Sequence, residues 1–314
     1  MSLSRACQTV AAGWLDLWFR PEPTRPLELI RMGVGSALLL AYGLTSDQLF
    51  ELFGDQGWIS RAALSAESHS PWMPSVLLYL NTPWHWIAVH AFFLAATTAF
   101  TVGWHTAWVK WWVLIGHVSY LNRNPAITYG VDDLLASLLF LLCLAPVGRA
   151  LSLDRRLTLR KATRTDQTAR PEPVTSAWGF ACQRLIQLQM AVFYFFAGVE
   201  KLRGETWQHG YALWIALTND EYATLPLGWL AEHFWIINLM TYYTLLLELA
   251  FPFLIWQRPT RPYLLAGAVL LQLGIAFMMG LHLFSFVVII GLLAFLPPEW
   301  LTTWGATTKL SSQG

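Results

Sequence analysis

Residues 193–211 read Phe-Tyr-Phe-Phe-Ala-Gly-Val-Glu-Lys-Leu-Arg-Gly-Glu-Thr-Trp-Gln-His-Gly-Tyr. An aromatic, apolar run carries straight into Glu200 and Lys201, and the polar segment after them is punctuated by Trp207 and Gly210. This is the pattern of a membrane helix ending at an interface. A lysine stripped of water at such a mouth gives up its proton more readily, which is how lysines come to act as bases near neutral pH. The alternative is that Lys201 snorkels to the lipid headgroups. The residues alone leave both readings open.

The whole composition supports a bilayer setting. Of 314 residues, 55% are hydrophobic and only 12% charged, against about 25% charged in soluble domains; mean hydropathy is +0.44. A net charge of +1 excludes the strongly basic or acidic bulk that would point to nucleic acid. Many of the eighteen tryptophans, among them Trp84, Trp86, Trp104, Trp108, Trp178, Trp235, Trp256 and Trp300, fall at the ends of apolar runs, as an interfacial aromatic belt requires. The three cysteines, Cys7, Cys143 and Cys182, lack CxxC spacing, so neither a disulfide framework nor a structural zinc site is expected. The N-terminus lacks the pattern of a cleaved signal peptide.

Working outward, residues 1–25 carry Val10, Trp14, Leu15, Trp18 and Phe19 before Pro21 and Pro23, which predicts an amphipathic helix on the cytoplasmic membrane surface. Eight spans follow: Leu29–Leu44, Trp84–Val102, Ala107–Leu121, Tyr129–Val147, Arg184–Val199, Ile236–Trp256, Tyr263–Gly280 and Phe284–Leu296. The loop from Thr45 to Pro83 is expected to hold a short helix near Ser75–Leu80. Seven basic residues from Arg149 to Arg170 interrupt the hydrophobic pattern, and Pro297-Pro298 ends the last span. With both termini cytoplasmic, sixteen Lys and Arg fall inside and four outside, a positive-inside bias. The expected architecture is therefore an all-α polytopic bundle of about eight transmembrane helices: a surface segment at 1–25, one membrane domain at 26–300 and a short tail at 301–314. Lys201 would face the outer side, the periplasmic one if the membrane is a bacterial inner membrane.

Ionisable groups inside spans cost about 2.5–3.5 kcal/mol on insertion scales. Glu248, within Leu-Leu-Leu-Glu-Leu-Ala at 245–250, is the plainest: either a helix–helix hydrogen bond, or a proton relay or partner to a base. Asp132 and Asp133 start the fourth span, where negative charge suits a helix N-terminus. His282 lies between the last two spans, and is either a loop donor or a proton-transfer group. On the fifth helix Gln187, Met190, Tyr194, Ala197 and Lys201 recur at three- and four-residue steps and share a face, with Gly198 thinning the helix beside them. That face either lines a pocket or packs as an ordinary bundle seam. His85, His90, His105 and His117 show no HxxxH or HExxH spacing, so no metal is expected. Neither a Gly-rich phosphate loop nor a nucleophile elbow is present.

These motifs together resemble the HTTM (horizontally transferred transmembrane) domain, the membrane part of vitamin K-dependent gamma-glutamyl carboxylases that also occurs in many bacterial proteins. The resemblance covers roughly residues 20–300. It rests on Phe-Gly-Asp-Gln-Gly at 53–57, Asn124-Pro125 followed by Tyr129-Gly130-Val131-Asp132, the 193–211 stretch, Leu-Leu-Leu-Glu ending at Glu248, and Leu-His-Leu-Phe at 281–284. It implies that Lys201 is the base acting on a vitamin K-type hydroquinone or other lipid quinone, in a family that couples quinol oxygenation to carboxylation of a glutamate side chain.

On this reading Glu248 and His282 join Lys201 as catalytic candidates, and Tyr194, Ala197, Gly198, Trp207, Asn124 and Asp132 as cofactor-binding ones. A histidine important in the carboxylases aligns near Asn124–Ala126, where this chain has none, and their large lumenal substrate-gripping domain has no counterpart after the eighth span. The implied partners are the bilayer, a lipid quinone and a peptide or protein substrate from a separate chain, with no nucleic acid. The competing readings are a membrane scaffold or SdpB-like peptide maturation or immunity partner with Lys201 merely interfacial, and a proton-coupled transporter using Glu248, which lacks paired broken helices.

Overall fold

The computed structural model describes residues 3–67, 74–165, 174–219, 224, 225 and 227–297. Fourteen α-helices follow one another among them: α1 (Leu3–Phe19), α2 (Arg25–Leu44), α3 (Leu49–Phe53), α4 (Arg61–Glu67), α5 (Pro83–Val102), α6 (Thr106–Arg123), α7 (Gly130–Leu144), α8 (Leu153–Thr165), α9 (Ala177–Arg203), α10 (Glu205–Gln208), α11 (Ala212–Thr218), α12 (Phe234–Leu254), α13 (Arg261–Met279) and α14 (His282–Leu292). A two-residue antiparallel ladder pairs Glu22–Pro23 with Thr175–Ser176. The tail expected at 301–314 lies outside the described residues.

A helix stands at each of the eight places where the sequence predicts a span. Five are long and apolar enough to cross a membrane: Arg25–Leu44, Pro83–Val102, Ala177–Arg203, Gly228–Leu254 (α12 with the 3-10 turn before it) and Arg261–Met279. α7 and α14 are shorter, with 15 and 11 residues. α6 has the length but carries Lys110, His117, Asn122 and Arg123. The outward faces of these helices are apolar, with Leu40, Phe92, Trp108, Leu246, Leu270 and Phe277 exposed, which suits lipid as the surrounding solvent. The basic segment, read as a break, contains a further helix, α8, because Leu153 and Leu157 recur at helical spacing among its arginines. The short helix expected near Ser75–Leu80 is a 3-10 turn at Val76–Tyr79.

The chain forms two compact units, one of residues up to Leu185 with those after Phe295, the other of Ile186–Phe295. In the first, Glu28 and Arg31 of α2 are completely buried, and their side chains meet at 3.0 Å. Glu28 also accepts from the backbone N–H of Arg149 (2.8 Å) and Ala150 (3.1 Å). Arg31 donates to the carbonyls of Phe100, Thr101 and Leu151. Nearby in sequence, Tyr42 bonds His117 Nδ1 at 2.9 Å and His90 Nδ1 meets the Tyr120 hydroxyl at 2.7 Å, so these two buried histidines are held by tyrosines.

The first unit also explains two of the motifs. Arg123, at the end of α6, donates to the carbonyls of Gly54 (2.7 Å) and Ile59 (2.9 Å), and Asn124 donates to Leu52 O at 2.6 Å. The Phe-Gly-Asp-Gln-Gly loop and the Asn124-Pro125 motif therefore clasp each other. Buried donors bound to loop carbonyls hold that loop closed.

Candidate functional site

In the second unit α9 and α12 touch side by side, pairing Phe195 with Phe253, Tyr194 with Phe251 and Gly198 with Leu249, so they run antiparallel. Gly198 makes the contact close: a Cβ there would lie 3.0 Å from Leu249 Cδ2 and 3.1 Å from Leu249 N. Backbone against backbone, this is the approach that small residues permit between apolar helices.

The close contact delivers Lys201 to Glu248. Lys201 stands in the last turn of α9, where a cation also complements the helix dipole. Its Nζ lies 2.9 Å from Glu248 Oε2; the lysine side chain is 26% exposed and the carboxylate side chain 7%. On its other side the amine faces the Trp207 ring, 5.4 Å from the centroid, a cation–π distance. One amine is thus held between a buried carboxylate and an indole.

Trp207 reaches that position because the chain turns back at once. The backbone N–H of Trp207 donates to Gly204 O at 3.1 Å, starting α10. Side chains on one face of α12 then fasten the following segment: Asn238 donates to Gly210 O (2.9 Å), the Tyr242 hydroxyl donates to Gln208 O (2.9 Å), and Thr241 accepts from Leu213 N–H (3.4 Å). Gly210 has a φ of +80° and its hydrogen faces Asn238 and Tyr242, so the turn has room only for glycine. Glu248 follows Thr241 two turns along α12, about 10 Å further on. The half of α12 before Glu248 is therefore covered by the 204–213 segment, and α9 covers the part after it.

Deeper along α9, Tyr194 is buried and its ring stacks on Phe251 at 4.2 Å. Its hydroxyl lies within reach of the Gln272 amide on α13 and within electrostatic range of Glu248. Ala197 sits half-buried on the same face, one turn from Lys201. Among the sequence-predicted residues, Lys201, Glu248, Trp207, Gly198 and Tyr194 come together here. Gln272 was not among them, although an amide inside Leu-Leu-Gln-Leu-Gly is the same kind of signal as Glu248.

The other candidates have different surroundings. His282 is the first residue of α14; its backbone N–H donates to Gly280 O at 2.9 Å and its ring stands edge-on to Phe277. Asn124 and Asp132 belong to the first unit. Asn124 holds Leu52 O and accepts from Ala126 N–H at 3.2 Å. Asp132 accepts from Tyr129 N–H at 3.0 Å, closing the N-terminus of α7, which is the capping role open to it from sequence. Among the described residues no group of three or more His, Cys, Asp or Glu could hold a metal ion.

No curated protein and no solved structure matches the chain. The family model of the HTTM domain matches residues 19–300, which include the 53–57 loop, the clasp at Asn124 and the paired Lys201 and Glu248. With its apolar helices, the chain is an integral membrane protein, and it belongs to the HTTM-domain family.

Proposed function

We propose that this protein is a carboxylase-like membrane enzyme in which Lys201 is the base at a site for a lipid-soluble quinol. It would cross a bacterial inner membrane eight times with both termini in the cytoplasm and open its site toward the outer face, acting on a peptide or protein from a separate chain. The observation that carries this reading is the Lys201–Glu248 pair: an amine 2.9 Å from a buried carboxylate, roofed by Trp207, inside an apolar bundle where an unneeded charge pair is costly.

The residues fit a ligand of that class. Trp207 offers an aromatic face, and the buried oxygens of Tyr194 and Gln272 lack hydrogen-bond partners among the described residues, as groups awaiting a polar ligand do. When bound, a quinol supplies reducing electrons and an acidic hydroxyl. The chain supplies the proton handling. A proton passing from Lys201 Nζ to Glu248 Oε2 turns the ion pair into a neutral pair and leaves a free amine. That amine accepts a proton from a hydroxyl placed against it, and Glu248 then keeps the refilled ammonium in place. Trp207 shields the amine from water, which strengthens each of these interactions.

Oxygen uptake driven by a reduced lipid quinone, measured on the full chain in proteoliposomes, tests the proposal. Lys201→Met should lower the rate by about 10²–10⁴-fold, the usual contribution of a general base, at an unchanged melting temperature. Equal rates in native and variant chains would leave the scaffold reading, with Lys201 interfacial.

A further inference from the structure

Two polar side chains in the second unit are buried without being satisfied. Tyr194 is 1% exposed and Gln272 2%, yet neither the tyrosine hydroxyl nor Gln272 Oε1 has a hydrogen-bond partner among the described residues. They are close enough to influence one another, but the geometry of a hydrogen bond between them is not met. Each unmade bond in an apolar interior destabilises the fold, whereas an apolar residue of the same shape would remove that cost. Phe at 194 or Leu at 272 would fit bundle packing better than what the chain carries. Retained destabilising groups of this kind gather at binding sites.

Their position says what they would bind. Tyr194 stands seven residues from Lys201 on the same face of α9, two turns and about 10 Å along the axis. The amine has the Trp207 ring beside it, and the Tyr194 ring is itself held by stacking on Phe251. Two polar stations two turns apart on one helix face, the first with an indole beside it, complement a flat ligand that carries an oxygen at either end and makes a hydrogen bond from each. The hydroxyl–amide couple serves both oxidation states of such an oxygen: a ligand hydroxyl donates to Gln272 Oε1, and a ligand carbonyl accepts from the Tyr194 hydroxyl.

We infer that Tyr194 and Gln272 form a second binding station that takes the far oxygen of a para-quinol whose near hydroxyl faces Lys201. This rests on the quinol reading above and adds to it a requirement for two oxygens: a ligand with one leaves the buried station unpaired and is rejected.

The test uses the purified full chain in nanodiscs and two probes, menadiol with two ring hydroxyls and alpha-naphthol with one, titrated by tryptophan fluorescence. The native chain should bind menadiol at least about tenfold more tightly than alpha-naphthol, the worth of one good hydrogen bond to a buried group. Tyr194→Phe and Gln272→Leu should each weaken menadiol about tenfold and leave alpha-naphthol unchanged, whereas Lys201→Met should weaken both. Both station variants should melt no lower than the native chain. If the native chain binds neither probe, the quinol reading falls and takes the station with it. If it binds both, and the station variants weaken neither or weaken both equally, the station is refuted while the quinol reading stands. A marked fall in melting temperature for Gln272→Leu would show that the amide serves folding and would overturn the inference as well.

Discussion

Two ion pairs among the described residues join a cation to a buried glutamate, Glu28–Arg31 and Lys201–Glu248, and they are built on opposite plans. In the first unit, Glu28 and Arg31 are fully enclosed and are bound further by five backbone groups from two separate stretches of chain, 100–101 and 149–151. In the second, Lys201 and Glu248 meet at a comparable distance, but the lysine stays a quarter exposed and unsatisfied oxygens lie around the pair. A buried charge whose every lone pair and proton is used cannot exchange a proton without breaking the network, so it serves as a fastening. A pair left incomplete and partly open can change partner. On the proposed reading, the first pair serves structure and the second serves chemistry.

The largest expected effect falls on the fastening. Glu28→Ala leaves Arg31 buried without its counter-charge and should cost about 3–5 kcal/mol, read as a large drop in melting temperature or in folded yield. A tolerated substitution would erase the distinction between the pairs. Gly198→Ala comes next. Its Cβ meets backbone atoms of α12, so the helices must part, at about 1–3 kcal/mol for overpacking even after the gain in helix propensity of about 1 kcal/mol. Because the same contact aligns Lys201 with Glu248, quinol-driven activity should fall along with stability. Trp207→Leu removes the indole beside the amine and should cost about 0.5–2 kcal/mol in ligand affinity, with thermal stability little changed. At the small end, the exposed pair Arg203–Glu200 at 3.2 Å is a control: Glu200→Ala should alter neither stability nor binding by more than about 0.5 kcal/mol.

The sequence made most of the helices legible, because lipid-facing helices must be continuously apolar and the runs announce themselves. It also marked Lys201 and Glu248 separately, each as a charge in the wrong surroundings. What it could not show is that they touch. Their contact depends on the register between α9 and α12, set by Gly198 against Leu249, and apolar periodicity carries no register between helices. Glu28 passed unnoticed although Glu-Leu-Ile-Arg places it one turn from Arg31. α10 and α11 were invisible for a different reason: at four and seven residues they exist through their bonds to Asn238, Thr241 and Tyr242, not through any pattern of their own.

The most direct test of the incomplete pair as a chemical centre is lipid extraction and mass spectrometry of the purified chain, native beside Lys201→Met, with both shown to be folded by thermal melting. The native protein should carry a quinone or quinol enriched over the surrounding membrane extract, and the variant should have lost it. Equal quinone content in the two, or none in either, would contradict the account and leave Lys201–Glu248 as a second fastening.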